Sequence, residues 1–294
     1  MIAWLFLAVL AGLLIDAPEL RVLVTPVLGA LLFVTFLSIP LRRLRIDARF
    51  LTVLLLLNFV VVPLVVGAVT WPLRETGVVY AAVLLVLLAP CIDYVIAFSG
   101  LAGGAREHLL AATPLLLVGQ MVLLPVYLGI FLGSSEALQP GPFLEAFILL
   151  IVLPLCLAAV VQRTRRAARW EQYGERAMTP LMMATLFLVM AGFARDALEE
   201  WRLLLAPAAV FIAFAFIMAV AGWVLAGIFG LATPARISAT FSGVTRNSLV
   251  VLPFALAMPG SLAPVVVVGQ TMVELVVMVA MVWIVPRATR KSAR

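Results

Sequence analysis

The chain has 294 residues, of which 65% are hydrophobic and only 12% are charged, and its mean hydropathy is +1.23. Soluble domains carry about twice that fraction of charge, so the composition excludes a globular enzyme and predicts an all-α membrane protein. The net charge of +6 comes from arginines in short loops between apolar runs. It therefore indicates orientation in a bilayer rather than binding of nucleic acid.

Ten apolar runs follow one another along the chain, and each predicts a membrane helix. The first run is short, since its helix would rise only about 22 Å against a hydrocarbon core of about 30 Å. It lacks the basic start and the small-residue cleavage site of a signal peptide, so we expect it to be retained. The predicted helices are Met1–Ile15, Val22–Pro40, Phe50–Thr70, Gly77–Ser99, Ala105–Gly133, Phe143–Val161, Met178–Phe193, Leu203–Gly230, Ile237–Met258 and Ala263–Val285.

The basic residues predict how these helices are oriented. With both termini in the cytoplasm, 15 of the 20 Lys and Arg residues fall in cytoplasmic loops, and a cluster of them lies in the predicted loop Gln162–Gly174. Because positive residues accumulate on the cytoplasmic side, we expect a multi-pass protein of the cell membrane with both termini inside. The others are Arg21, Arg74, Arg195 and Arg202 in outer loops, and Arg246 inside a run.

The ten helices divide into two sets of five within a single membrane transport domain, 1–294. Because five is odd, the second set (143–285) would enter the membrane inverted relative to the first (1–133). A Val-Gly-Gln triplet recurs in the fifth and tenth runs, ending at Gln120 and at Gln270, although such a triplet can also recur by chance. Inverted repeats with a site at their interface are common in secondary transporters.

Two of the apolar runs are interrupted. The segment APCIDYVIAFSG carries Asp93, and the segment FSGVTRNSLVVLP carries Arg246. Each places a charge beside Pro, Gly, Ser or Thr within sequence that is otherwise apolar enough for lipid. An ionisable group inside a membrane span is costly, so it indicates a functional site, and broken segments in corresponding places of two halves indicate where a transporter binds its substrate.

The charged residues of these runs are predicted to form one polar site. At the rise of an α-helix, Asp93, Arg246 and Glu274 each lie roughly 14–17 Å from the end of their run, near the middle of a ~30 Å core. We expect Asp93 and Arg246 to pair, because either charge alone would bear the full cost of desolvation. Such a pair would stand in for a bound cation and make transport independent of sodium. Gln120 and Gln270 would add amide groups.

These segments resemble those of the bile-acid:sodium symporter superfamily and, within it, the arsenical-resistance permeases that export arsenite. Pro90–Phe98, PCIDYVIAF, is similar to the fourth-helix motif and places the family's cysteine at Cys91. Phe241–Ala257 resembles the ninth-helix motif, and Val273–Met278 resembles the tenth-helix motif with its glutamate at Glu274. The resemblance implies that helices four and nine are discontinuous and cross near the midplane. It also implies a core domain and a panel domain that move against each other.

The chain departs from that family in two places. Pro90 stands where the arsenite branch usually has an arginine before the cysteine, and Leu249 stands where the ninth helix usually has a glutamate. In this chain the acid, Asp93, is instead in the fourth helix, and the base, Arg246, is in the ninth. The missing ninth-helix carboxylate weighs against sodium as the coupling ion and favours a proton.

The resemblance and the residues together predict a secondary active transporter that works by alternating access, with arsenite or another metalloid leaving the cell in exchange for protons. Glu274 would cycle the proton, with Gln120 and Gln270 beside it. The thiol of Cys91 would bind the trivalent metalloid, because soft thiolates favour soft centres. Cys156 is instead expected to pack as a small hydrophobe. The expected substrate contacts are Cys91, Asp93, Thr245, Arg246, Asn247 and Ser248.

Other functions remain open at this point. The chain could carry a small organic anion with Arg246 as its counter-ion, or it could be a membrane receptor without transport, although it has no soluble signalling domain. An intramembrane enzyme is disfavoured because no HExxH, GxSxG or paired catalytic aspartate motif is present. No cofactor, resident metal or nucleic acid is expected; the partners would be the substrate, the coupling proton and the lipid bilayer.

Overall fold

The computed structural model describes residues 2–15, 17–37, 47–92, 94–133, 141, 145, 148–164, 167–258 and 262–292. This part of the chain is almost entirely helical and contains no β-strand, as the apolar composition predicts. The bounds of the α-helices that it shows are α1 Ile2–Leu14, α2 Arg21–Leu37, α3 Ala48–Leu56, α4 Val62–Val69, α5 Val78–Leu87, α6 Tyr94–Leu101, α7 Arg106–Leu132, α8 Leu153–Gln162, α9 Ala167–Glu199, α10 Trp201–Ile228, α11 Thr233–Val244, α12 Ser248–Leu256 and α13 Leu262–Ser292.

Two short π-helical segments interrupt or precede these helices. Leu57–Val61 joins α3 to α4, and Ile148–Val152 leads into α8. Pro63 and Pro154 lie just after them, and each proline removes a backbone donor from the following turn. Single-turn π segments of this kind widen a helix locally and are frequent at functional sites.

The chain forms two compact units, each built from three separate stretches of sequence. The first unit comprises Met1–Pro40, Glu136–Leu204 and Leu249–Val268, and the second comprises Leu41–Ser135, Leu205–Ser248 and Gly269–Arg294. Each unit therefore contains sequence from both predicted halves of the chain.

In the first unit, α9 packs against α1 and α2. Gly12 of α1 makes a close approach possible, since a Cβ added there would lie 2.6 Å from Met190 Cβ and 2.7 Å from the Phe187 carbonyl oxygen. Small residues allow membrane helices to pack closely. Arg21 reinforces the contact, because its guanidinium donates to the Gly192 carbonyl at 2.6 Å and to Asp196 at 2.7 Å.

In the second unit, α11 is the central helix and packs against α3, α6 and α7. Its residues from Ile237 to Val244 are all buried. Ser238 of α11 and Ser99 of α6 are joined by their hydroxyl groups at 2.9 Å. Helix α7 bends by 46° between Gln120 and Val122, and Pro125 accounts for the bend because it cannot donate to the carbonyl of residue 121.

Five helical stretches are long and apolar enough to cross a membrane in the described part of the chain, and the two arms of α7 make a sixth if counted as one bent span. All ten predicted runs contain helix, but several are divided into shorter pieces. Helix α1, with 13 residues, is shorter than a typical span. The five stretches are Pro18–Leu37, Ala48–Val69, Gln172–Phe193, Trp201–Ile228 and Leu262–Thr289.

The predicted loop Gln162–Gly174 is wrong in its C-terminal part. Helix α9 begins at Ala167 and continues unbroken to Glu199. The stretch from Ala167 to Tyr173 contains no Gly or Pro and several strong helix formers. Of the arginines in this predicted loop, Arg169 therefore lies in the first turns of a long helix, whereas Arg163 follows the end of α8. Arg165 and Arg166 lie outside the described residues.

Candidate functional site

Two interrupted helices meet at their breaks, and the described residues of both breaks belong to the second unit. Helix α5 ends at Leu87 and α6 begins at Tyr94, while α11 ends at Val244 and α12 begins at Ser248. The two connecting stretches run antiparallel, with an isolated bridge between Pro90 and Arg246 and a hydrogen bond from the Asn247 amide to the Ala89 carbonyl at 2.9 Å. Backbone groups freed by the two breaks thus satisfy each other, as irregular backbone in an apolar interior requires.

The Arg246 side chain is completely buried at this crossing. Its Nη2 atom donates to the Ser242 carbonyl at 2.6 Å, the Gly243 carbonyl at 2.9 Å and Asn58 Oδ1 at 2.9 Å. Its Nη1 atom reaches the Leu87 carbonyl at 3.4 Å. The four acceptors are all neutral oxygen atoms.

Two helix ends supply three of these oxygens. Leu87 is the last residue of α5, and Ser242 and Gly243 belong to the last turn of α11. The final carbonyls of a helix have no partner within it, and the helix dipole places partial negative charge there. Both effects favour a cation at this point, and Phe214 adds an aromatic face 5.5 Å from Arg246 Cζ.

Asn58 supplies the remaining oxygen from the π-helical segment. Its amide nitrogen donates to the Leu54 carbonyl at 3.0 Å and to Ser242 Oγ at 3.1 Å, while its Oδ1 accepts from Arg246. All the hydrogen-bonding directions of this side chain point into one network. Asn58 therefore ties the third predicted helix to the break in the ninth.

Glu274 of α13 lies on the backbone side of Arg246. Its Oε1 accepts from the Arg246 backbone amide at 3.1 Å and from the Tyr94 hydroxyl at 2.9 Å, and its Oε2 accepts from Gln270 Nε2. The Tyr94 hydroxyl is also 3.1 Å from the Arg246 carbonyl oxygen. Three hydrogen-bond donors therefore hold the Glu274 carboxyl group in place beside the buried Arg246.

The other predicted site residues lie around this network. Cys91 is fully buried, next to the bridging Pro90. Thr245 and Asn247 are fully buried at the break; the Thr245 hydroxyl donates to the Phe241 carbonyl at 2.8 Å. Ser248 Oγ accepts from the Thr271 hydroxyl at 2.9 Å.

The two glutamines predicted for the site differ in their surroundings. Gln270 is hydrogen-bonded to Glu274, whereas both polar atoms of Gln120 are buried without a partner among the residues described.

Asp93 lies outside the described residues, so its predicted pairing with Arg246 stays a prediction. The structure thus brings together Arg246, Glu274 and Gln270.

The sequence analysis missed Asn58 and Tyr94. Asn58 is the only polar residue between Leu54 and Val62, which was a usable signal, but an isolated amide in an apolar helix also serves to hold helices together. Tyr94 stands within the quoted PCIDYVIAF motif without having been singled out. Their roles depend on contacts with residues that are more than 150 positions away.

Cys156 corrects another expectation. It is exposed rather than packed in an interior, because the short helix α8 turns that face away from its neighbours. Among the residues described, no three His, Cys, Asp or Glu side chains are arranged to hold a metal ion.

Comparison with known families places the chain beside a family of membrane transporters. The sequence model of the sodium bile acid symporter family matches residues 22–199. No curated protein gives a significant match. The matched stretch includes Asn58, Cys91, Tyr94 and Gln120, whereas Arg246 and Glu274 lie beyond it.

Proposed function

Because the chain belongs to the sodium bile acid symporter family, we propose that it is a secondary active transporter working by alternating access. The family consists of membrane transporters, so the chain is an integral membrane protein rather than an enzyme. The observation that supports alternating access is the crossing of two interrupted helices around Arg246 and Glu274. Discontinuous helices whose ends face a polar site are the usual means by which transporters bind substrates and ions.

The proposed architecture is ten crossings in two inverted sets of five, with both termini in the cytoplasm. The division of both the fourth and the ninth predicted helix into two pieces supports it, because the broken elements occupy equivalent places in the two halves. Gln120 on the fifth predicted helix and Gln270 on the tenth are a further pair of equivalent residues in the two halves.

The proposed substrate is arsenite or a related trivalent metalloid, exported in exchange for protons. Cys91 supports this choice, because its thiol is buried directly beside the bridge between the two breaks. Soft sulfur ligands bind soft centres. Thr245, Asn247 and Ser248 would provide neutral polar contacts for the metalloid hydroxyls, and Glu274 would carry the proton.

The test is counterflow in proteoliposomes loaded with arsenite or antimonite. The two cysteines of the chain provide a matched pair, since Cys91 is buried at the crossing and Cys156 is exposed on α8. We expect Cys91→Ser to abolish metalloid counterflow while the protein remains folded, and Cys156→Ser to transport normally. Equal transport by the two variants would remove Cys91 from the mechanism.

A small organic anion is the second candidate substrate. Helices α6 and α12 both begin at the crossing, at Tyr94 and Ser248, and helix N-termini favour negative charge. The same proteoliposomes loaded with radiolabelled bile acids or short carboxylates would decide between the two. Counterflow of a carboxylate that Cys91→Ser leaves intact, without counterflow of arsenite, would establish this alternative.

A further inference from the structure

We propose that the guanidinium of Arg246 fills a binding pocket for a monovalent cation and acts there as a cation built into the chain. The inference deepens the proposed transport function, because it concerns the coupling ion at the same crossing. Its consequence is that the wild-type protein needs no alkali-metal ion at this position, and that removing the arginine side chain creates a site for one.

The proposal rests on the geometry around the Nη2 atom of Arg246. Three oxygens lie 2.6–2.9 Å from this single nitrogen, namely the carbonyls of Ser242 and Gly243 and Asn58 Oδ1. A guanidinium nitrogen of this type has only two hydrogens, so it cannot make three full hydrogen bonds. Three oxygens therefore converge on a nitrogen that has two hydrogens, which is one acceptor more than this nitrogen can satisfy with full hydrogen bonds.

The chemistry of these oxygens selects the class of ion. The four acceptors of the guanidinium are backbone carbonyls and one carboxamide, and none of these four is a carboxylate. Divalent ions are usually held by carboxylates, whereas rings of neutral carbonyls coordinate dehydrated alkali-metal ions. Unwound carbonyls and helix C-termini bind coupling ions in other transporters, and here the C-termini of α5 and α11 supply the carbonyls.

The surroundings of the pocket also favour one positive charge within it. Glu274 accepts from the Arg246 backbone amide, so its carboxylate stands beside the same residue. A buried pocket that has lost the guanidinium would retain its converging oxygens and this neighbouring acid. An alkali-metal ion restores the charge that the arginine provided, which a water molecule or an apolar side chain cannot do.

The first experiment measures thermal unfolding of the purified protein in detergent, followed by tryptophan fluorescence. Wild type is expected to unfold at the same temperature in sodium, potassium and choline chloride of equal ionic strength. For Arg246→Ala we expect a lower midpoint in choline chloride that rises with the concentration of sodium or potassium and saturates. Guanidinium chloride, at concentrations far below those that denature proteins, is expected to raise it too.

Arg236→Ala is the matched control. Arg236 lies on the same helix, α11, and its Nε donates to the Trp223 carbonyl at 2.9 Å, with Cζ 4.1 Å from the Trp223 ring. Its removal exposes no ring of oxygens, so its midpoint is expected to be the same in all salts. A midpoint of Arg246→Ala that does not respond to sodium, potassium or guanidinium would overturn the proposal, as would an equal response of Arg236→Ala.

A second pair of variants covers the case in which Arg246→Ala does not fold. Arg246→Lys and Arg246→Met have similar length and differ in charge, and the lysine ammonium offers three donors from one centre. We expect the Lys variant to be recovered folded in a yield near that of wild type, and the Met variant to be strongly depleted. Equal yields of the two would contradict a cation pocket.

These measurements use no transported substrate. A protein that transports neither arsenite nor organic anions would refute the proposed function and leave the cation result unchanged. Conversely, the protein could transport substrate while Arg246→Ala does not respond to cations, or while the Lys and Met variants give equal yields. Either result would refute only the cation pocket.

Discussion

Among single residues, Glu274 is the one whose replacement separates proton coupling from substrate binding. Glu274→Gln keeps an oxygen that can accept from the Tyr94 hydroxyl and the Arg246 amide, but it removes the group that ionises. We therefore expect transport driven by a pH gradient to be lost, while exchange of substrate across the membrane continues. Transport assays in proteoliposomes with and without a pH gradient measure the two activities.

The matched control for that experiment is Glu107→Gln. Glu107 is an exposed acid in the first turn of α7, and its replacement should leave both activities unchanged. A Glu274→Gln protein whose transport depends on pH as the wild type does would exclude Glu274 as the proton carrier.

Asn58 is a residue whose replacement should lower the stability of the protein. Asn58→Leu removes an acceptor from a buried arginine and a donor from Ser242. Hydrogen bonds to charged groups contribute about 1.5–3 kcal/mol, so we expect the free energy of unfolding in detergent to fall by about that amount. Thr52→Val, on the exposed face of the preceding helix α3, should change it by less than about 0.5 kcal/mol. Similar values for the two would mean that Asn58 contributes nothing specific to the network.

The expected pairing of Asp93 with Arg246 stays a prediction, because Asp93 lies outside the described residues. What residue-by-residue reasoning did not anticipate is the set of partners that Arg246 has among the described residues. They are carbonyls at two helix ends and an amide from a π-helical segment. Sequence shows which residues are charged, but the carbonyls available at a helix end depend on where that helix stops and on what it faces.

At the scale of secondary-structure elements, the contact of α1 with α9 depends on Gly12. A Cβ at that position would overlap Met190 and the Phe187 carbonyl, so Gly12→Ala must push the helices apart. Overpacking of this kind costs about 1–3 kcal/mol, and we expect the free energy of unfolding to fall accordingly. Gly129 in α7 is the control, because nothing lies within 4 Å of a Cβ added there.

Gly129→Ala should stabilise the protein by up to about 1 kcal/mol, since alanine is the better helix former. Chemical denaturation of both variants in the same detergent gives the comparison. Destabilisation by Gly129→Ala as large as that by Gly12→Ala would show that the α1 contact is not the cause.

The breaks in the fourth and ninth predicted helices were the elements that sequence indicated best. Pro90 lacks a backbone donor, and the stretch from Ser242 to Ser248 combines Gly, Thr, Ser and Asn with an arginine, so continuous helix is unfavourable at both places. The π-helical segment at Leu57–Val61 could not be anticipated in the same way. It lies in an uninterrupted apolar run, and its role becomes visible only in the contacts of Asn58 with Ser242 and Arg246 of a distant segment.

The orientation of the whole molecule is the remaining prediction. With 15 of 20 basic residues in predicted inner loops, we expect both termini in the cytoplasm. A cysteine at Ser292 should react with a membrane-impermeant reagent only after permeabilisation, whereas one at Ser135, which lies outside the described residues, should react in intact cells. Cys156→Ser is the background for both, so that Cys156 cannot contribute to the labelling. The reverse pattern of labelling would invert the topology.

The antiparallel bridge between Pro90 and Arg246 has a consequence for how the protein is made. Leu87 and Arg246 are 159 residues apart, so at 5–20 residues per second the ribosome needs roughly 8–30 s to produce the second partner after the first. During that interval the carbonyls of the first break have none of the partners that they have in the finished protein. A nascent chain with bare polar backbone cannot settle in lipid. We therefore expect the first interrupted helix to stay beside the insertion machinery until the ninth helix has been synthesised.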